Sequence, residues 1–103
     1  RGKYIDFEAK ECKNDRFPFA NIYKHQIDHL KRIIDHGGIA FVIIAFTHRN
    51  EVYLIDASFM IDAYYYSDRK SITYDEIKEK GHIIKQGVNP RLSYLDVIDK
   101  YYF

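Results

Sequence analysis

A carboxylate, a small residue and an ammonium follow one another at Glu8-Ala9-Lys10, inside a stretch that alternates apolar and polar side chains. In an extended strand, residues two apart project from one face, so Glu8 and Lys10 stand side by side, a few ångströms apart. Hard cations such as Mg²⁺ take oxygen ligands, which makes Glu8 a candidate ligand. Lys10 is then placed to stabilise charge developing on a phosphate under attack, or to help position the water. The acid-x-Lys spacing recurs at Glu11–Lys13, Asp68–Lys70 and Glu76–Lys78, and alone it describes an exposed ion pair as readily as a site. Only the Glu8 pair lies mid-strand, with Phe7 and Ala9 behind it. Asp6 shares its face, either to tune the site and hold water or as an exposed strand-end carboxylate.

Other residues with chemical potential are weaker candidates. His25 and His29 are four apart, a helical spacing that zinc can use. A zinc protease needs Glu where Gln26 stands, because a neutral amide cannot act as a base, and no third ligand sits at a familiar spacing. Two solvated histidines on a helix flank are the better account. Nothing around Cys12 suggests an oxyanion hole or an orienting group for a nucleophile. As the single cysteine it forms no internal disulfide, so a reducing, cytoplasmic setting is the expectation. Lys13, Arg16 and Lys24 flank the proposed site, and Arg69-Lys70 follow Tyr64-Tyr65-Tyr66. These five cations are candidate DNA contacts, which position a protein on the phosphate backbone without reading sequence; each is equally at home on a solvated surface. Three consecutive tyrosines on a helix cannot face one way, so at least one belongs to the core and another is free for a dimer interface.

The elements that must hold these residues follow from periodicity. Lys3–Lys10 reads as a strand with Ile5, Phe7 and Ala9 on one face and Asp6, Glu8 and Lys10 on the other. Pro18 falls in a loop, and Asn21 is placed to cap a helix whose apolar face carries Tyr23, Ile27, Leu30, Ile33 and Ile34. Gly37-Gly38 ends that helix, and Ile39–Thr47 follows as a strand buried on both faces. His48-Arg49-Asn50 turns the chain into a returning strand, Glu51–Asp56. Asp56 caps a short helix over Ala57–Tyr66, and Thr73-x-x-Glu76 opens another that Gly81 closes. His82–Lys85 reads as a short edge strand, Asn89-Pro90 as a boundary, and Ser93-x-x-Asp96 as the start of a final helix whose Tyr101-Tyr102-Phe103 packs back on the sheet. This order predicts a mixed sheet with helices against it.

Composition sets the outer limits. The chain has 103 residues, 47% apolar and 30% charged, with five Gly and two Pro, which suits one folded domain and excludes a disordered tail or a collagen-like repeat. Its longest apolar run, Ile39–Phe46, is far short of the roughly 20 residues of a membrane span. A formal charge of +1 neither demands nor excludes nucleic acid. The chain opens on Arg1-Gly2-Lys3 without a signal peptide or initiator Met, so it is expected to be a piece of something longer.

The stretch Gly2-Lys3-Tyr4-Ile5-Asp6-Phe7-Glu8-Ala9-Lys10-Glu11 closely resembles the signature of RecU-type Holliday-junction resolvases, members of the PD-(D/E)xK nuclease superfamily. The resemblance continues in order through Phe17-Pro18, His25-Gln26-Ile27-Asp28-His29, Ile39–Ile44, Arg69-Lys70-Ser71-Ile72, Pro90-Arg91 and Tyr102-Phe103. It implies an α/β, restriction-endonuclease-like mixed β-sheet flanked by helices, a single nuclease-like domain over residues 1–103. The implied activity is Mg²⁺-dependent, structure-specific cleavage of four-way DNA junctions by paired symmetric nicks, in recombination and repair. The implied partners are branched DNA, a second copy in a homodimer and a recombinase.

Residue by residue, Glu8 matches the family's metal-binding carboxylate and Lys10 its transition-state lysine. Gln26 falls at a further metal-site position if the preceding loop is one residue shorter here. Cys12 stands where the family leads us to expect Thr. The superfamily's first catalytic aspartate is expected on a strand upstream of Arg1, and the family's N-terminal region and projecting stalk are not recognisable. The expectation is a nuclease parent, with this chain crippled on its own. Alternatives are a non-catalytic branched-DNA-binding module, a recombinase-interacting module of the same fold, and a restriction-like nuclease that reads sequence.

Overall fold

The computed structural model describes residues 4–84. The chain runs β1 (Ile5–Cys12), β2 (Arg16–Pro18), a 3-10 turn (Phe19–Asn21), α1 (Lys24–Asp35), β3 (Ile39–Phe46), β4 (Glu51–Asp56), α2 (Ala57–Tyr65), β5 (Ser71–Thr73), α3 (Tyr74–Lys80) and β6 (His82–Ile84). The expected Asn89-Pro90 boundary, the final helix with Tyr101–Phe103, and Pro90-Arg91 lie outside the described residues, as do Arg1–Lys3.

Four strands form a mixed sheet in the order β1-β3-β4-β6. β1 pairs parallel to β3 with Glu8 opposite Val42 and Lys10 opposite Ile44. β3–β4 and β4–β6 are antiparallel. Parallel neighbours need a crossover, and α1 supplies it. Ile27, Leu30 and Ile33 are its buried stripe, at the helical spacing the sequence predicts. They pack with Ala40, Val42, Ile44 and Phe46 of β3 and with Met60 and Ile61 of α2. The alternate residues Ile39 and Phe41 are buried on the opposite face with Leu54 and Ile84, so β3 is covered on both sides as expected. Each of the larger aliphatic and aromatic side chains contributes roughly 1.5–3 kcal/mol through its burial. The architecture is therefore α/β, a mixed sheet flanked by helices, in keeping with a restriction-endonuclease-like fold.

Several local signals hold. Asp56 Oδ1 accepts from the Ser58 backbone N–H at 2.8 Å and starts α2. Thr73 and Glu76 satisfy each other's backbone N–H groups at the start of α3. Gly37 adopts the left-handed conformation, φ 83°, that ends α1.

Three differences have physical causes. The residue before α1 is Tyr23, not Asn21, because Asn21 closes the 3-10 turn and Gln26 reaches back to the Tyr23 N–H. Tyr23 is accordingly exposed rather than part of the apolar stripe. Pro18 lies not in a loop but in a second small sheet, where β2 pairs antiparallel with β5 and Phe17 is fully buried. Strands of three residues carry too little alternation to be legible. Among the described residues, no helix is long and apolar enough to cross a membrane.

Candidate active site

β1 alternates as predicted, but its polar face is the less exposed one. Ile5, Phe7 and Ala9 are exposed, whereas Asp6, Glu8 and Lys10 are half-buried. Phe7 stacks on Phe41 of β3 with ring centroids 5.1 Å apart, anchoring the strand from behind. The polar stripe looks toward α1, which runs antiparallel to β1. Lys10 Nζ lies 5.8 Å from the centre of the Tyr23 ring, just before α1. Six residues, nearly two turns, further along, His29 Nε2 meets Asp6 Oδ2 at 2.8 Å. Glu8 lies between Lys10 and Asp6 on the strand, as Gln26 lies between Tyr23 and His29 on the helix. The crossover thus lays the two stripes side by side along one groove.

The groups in this groove are not equally free. Asp6 accepts from His29, from the Phe7 backbone N–H at 2.8 Å and from the Tyr4 hydroxyl. The His29 hydrogen bond, chiefly, holds its carboxyl below the usual carboxylate range. Gln26 Oε1 accepts from the Tyr23 N–H at 3.0 Å. That is the oxygen a metal would use, so one lone pair is spent on starting the helix and one remains. Glu8 has no hydrogen bond or ion pair among the described residues.

Mg²⁺ is bound by one or two protein carboxylates together with waters and phosphate oxygens. The oxygen-only character of Glu8 and Gln26 fits such an ion in part: one free carboxylate and one half-engaged amide. Among the described residues, no group of three His, Cys, Asp or Glu converges as a metal site, zinc included. His25 is exposed and stacks on Tyr23, as a solvated histidine would. His29 departs from that expectation, because its partner Asp6 lies across the groove.

The cations proposed for DNA separate into two groups. Lys24 is tied to Asp28 at 2.9 Å, and Arg69 forms a two-pronged pair with Glu76. Both have spent charge that a phosphate would use. Arg16 donates to Ser71 Oγ at 3.0 Å across the β2–β5 pair, with Lys70 next to it in sequence. Lys13 and Lys70 are exposed and have no ion pair among the described residues. Tyr64 is half-buried against the core, while Tyr65 and Tyr66 are exposed. Cys12 is buried and donates its thiol to the Asn14 and Arg16 carbonyls, supplying its own polar contacts.

Sequence reasoning missed His29 as a partner of Asp6, and it missed Arg32 one turn further on. The signal was present: positions 23, 26, 29 and 32–33 of the helix run opposite positions 10, 8, 6 and 4 of the strand. Reading it required knowing that α1 packs antiparallel on the polar face of β1.

The mixed sheet flanked by helices, with an acid–ammonium pair half-buried under the following helix, is consistent with a restriction-endonuclease-like fold. Comparison with known proteins gives the family. The sequence model of the family described as Recombination protein U matches residues 1–100, and the chain belongs to that RecU family. It is 51% identical to the Holliday junction resolvase RecU of Bacillus cytotoxicus, over all of this chain and 54% of the relative. Identity is 50% to the proteins of the same name from a Geobacillus species and from Shouchella clausii, over all of this chain and 53% and 51% of the relatives. The chain therefore spans about half the length of the curated relatives it matches.

Proposed function

We propose that the protein carrying this chain is a Mg²⁺-dependent endodeoxyribonuclease that resolves four-way DNA junctions by paired symmetric nicks, acting as a homodimer in the cytoplasm. The observation that carries this reading is the Glu8–Lys10 pair, half-buried in the β1–α1 groove of a RecU-family chain. Glu8 would hold the ion through a carboxylate oxygen, with the free lone pair of Gln26 Oε1 assisting. When bound, the ion supplies charge neutralisation at the phosphate and a water of lowered pKa. Lys10 presents its ammonium beside Glu8 and stabilises the extra negative charge of the pentavalent phosphate. Asp6, held by His29, adds negative potential behind Glu8 without competing for the ion. Lys13, Arg16 and Lys70 hold flanking backbone phosphates, whereas Lys24 and Arg69 contribute only if they release their acidic partners. A recombinase is a further partner on this reading.

The use of Gln26 Oε1 at the helix start favours a second reading, a branched-DNA-binding module without cleavage. Nicking of a synthetic four-way junction by the full-length protein in Mg²⁺ separates the two, beside Glu8→Gln and a linear duplex. Paired nicks that vanish in Glu8→Gln are expected. Binding without nicks in either protein supports the module instead. Cutting of the linear duplex at fixed sites would mean that the enzyme reads sequence.

A further inference from the structure

The β1–α1 groove does not end at Asp6. It opens into a pocket of about 440 Å³ lined by Tyr4, His29, Arg32, His36 and the Gly37-Gly38 backbone. With Ile33 the lining is seven residues, of which four carry a nitrogen-bearing ring, a guanidinium or a hydroxyl and none a carboxylate. Tyr4 and His29 are held by Asp6 at the pocket's edge, which leaves Arg32 and His36 as its open polar groups. Arg32 is the cation of α1 left without an ion pair among the described residues. Lys24 is held by Asp28 and Lys31 by Asp35, each at 2.9 Å. Asp28, one turn before Arg32, spends its two oxygens on Lys24 and the Tyr65 hydroxyl. His36 donates from Nδ1 to the Arg32 carbonyl at 2.7 Å, which fixes its ring and leaves Nε2 without a partner among the described residues. Among the described residues, Gly37 has no atom within 4 Å of where a Cβ would stand, so backbone is open to an incoming group there.

We propose that this pocket binds a backbone phosphate of the DNA strand lying in the groove, with Arg32 as its principal contact, and that it sets the register of that strand over Glu8 and Lys10. Tyr4, just before β1, stands four residues before Glu8, a span of about 13 Å at the usual extended rise. The anchored phosphate is therefore a few nucleotides from the scissile one. Arg32 supplies a permanent charge and a planar fork of donors suited to phosphate oxygens. The Tyr4 hydroxyl donates to Asp6, so it shapes the pocket wall while Arg32 carries the contact. The positioning role matters because a displaced strand misplaces the reacting phosphate, even with every group at Glu8 and Lys10 intact.

This inference rests on the junction-cleaving reading above, and its test is built to separate the two. Binding of a four-way junction is measured across salt concentrations for the full-length protein carrying Glu8→Gln, alone and with Arg32→Gln, Arg32→Lys or Lys31→Ala. Arg32→Gln is expected to weaken binding about five-fold at moderate salt and to reduce the salt slope by about one. Arg32→Lys keeps the slope, and Lys31→Ala changes neither. A scan of single methylphosphonates along the strand then finds one position that weakens the Arg32 protein and leaves the Arg32→Gln protein unaffected.

Tight binding by the parent with an unchanged slope in Arg32→Gln would overturn the pocket and leave the junction reading standing. A methylphosphonate scan in which losses add at every position would do the same. Loss of folding in both Arg32 variants, followed by circular dichroism, would make Arg32 structural and also overturn the proposal. A parent that binds no junction would remove both readings together.

Discussion

His29 reaches from α1 to β1 and donates from Nε2 to the Asp6 carboxylate over 2.8 Å, joining the crossover helix to the strand that carries Glu8. Both side chains remain partly exposed, at 44% and 34%, so water competes for the pair. His29→Ala and Asp6→Asn are each expected to cost about 0.5–1 kcal/mol, at the modest end for a hydrogen bond to a charged group. The double variant should cost less than the sum of the singles. Urea unfolding of the four proteins checks this, and full additivity would show that the contact contributes nothing in solution.

The ammonium of Lys10 is predicted to act on the reaction rather than on binding. In the full-length protein, Lys10→Met should slow junction nicking by roughly a hundred-fold or more, the scale seen when one charge-stabilising donor is removed. Junction affinity should change only by the few-fold expected for one phosphate-facing cation. Tyr23→Leu removes the ring beside Lys10 Nζ and should give a smaller loss in the same direction. Single-turnover cleavage beside a binding isotherm separates the two effects.

Acid should loosen the α3 end of the molecule through Glu76. The Arg69 guanidinium, with help from the Thr73 N–H and hydroxyl, lowers its carboxyl from 4.5 to about 2. A carboxyl lowered by folding stabilises the fold fully above its unfolded value, and that stabilisation is lost as pH falls through the folded value. The loss should therefore run from about pH 4.5 down to about pH 2. Glu76→Gln should be less stable at neutral pH and show a flatter decline over that window. Denaturation midpoints at several acid pH values would read this directly, and parallel declines would assign the acid sensitivity to other carboxylates.

Gly38 lies wedged between Ile33 of α1 and Tyr4, the residue before β1. A Cβ there would stand 2.9 Å from the Tyr4 carbonyl oxygen and 2.7 Å from Ile33 Cγ2. The Tyr4 carbonyl is fixed by the Ile39 N–H at 2.8 Å and has no freedom to withdraw. Gly38→Ala is expected to destabilise by about 1–3 kcal/mol, as overpacking does. Thermal unfolding measures it, and a neutral result would mean that the contact relaxes without cost.

Much of this fold is written locally. The stripe Ile27, Leu30 and Ile33, the caps at Asp56 and Thr73, and Gly37 follow from one segment at a time, because each depends on neighbours three or four residues away. The Glu8–Lys10 pair is legible for the same reason, since a period of two places both on one face wherever the strand goes. Which face of β1 is covered is not a local property. Alternation suggests that Phe7 faces inward, yet the helix settles over the polar side, and this creates the groove. Nor could the β2–β5 pair be read, because it joins residues more than fifty positions apart through three-residue strands. The engagement of Gln26, Lys24 and Arg69 by other side chains likewise appears only once their partners are brought near.

The groove is built within a single strand–helix–strand passage, from β1 through α1 to β3. Its parts are close in sequence, so bringing them together closes only short loops, and contacts of that kind cost little chain entropy to form. β6 and α3, by contrast, pair through β4 and contribute no residue to the groove. Transient opening of that far edge would expose their amides to solvent exchange while Glu8, Lys10 and His29 kept their mutual distances. The contacts that set the groove's geometry are thus separate from the β4–β6 pairing, although α1 and α3 share one hydrophobic cluster.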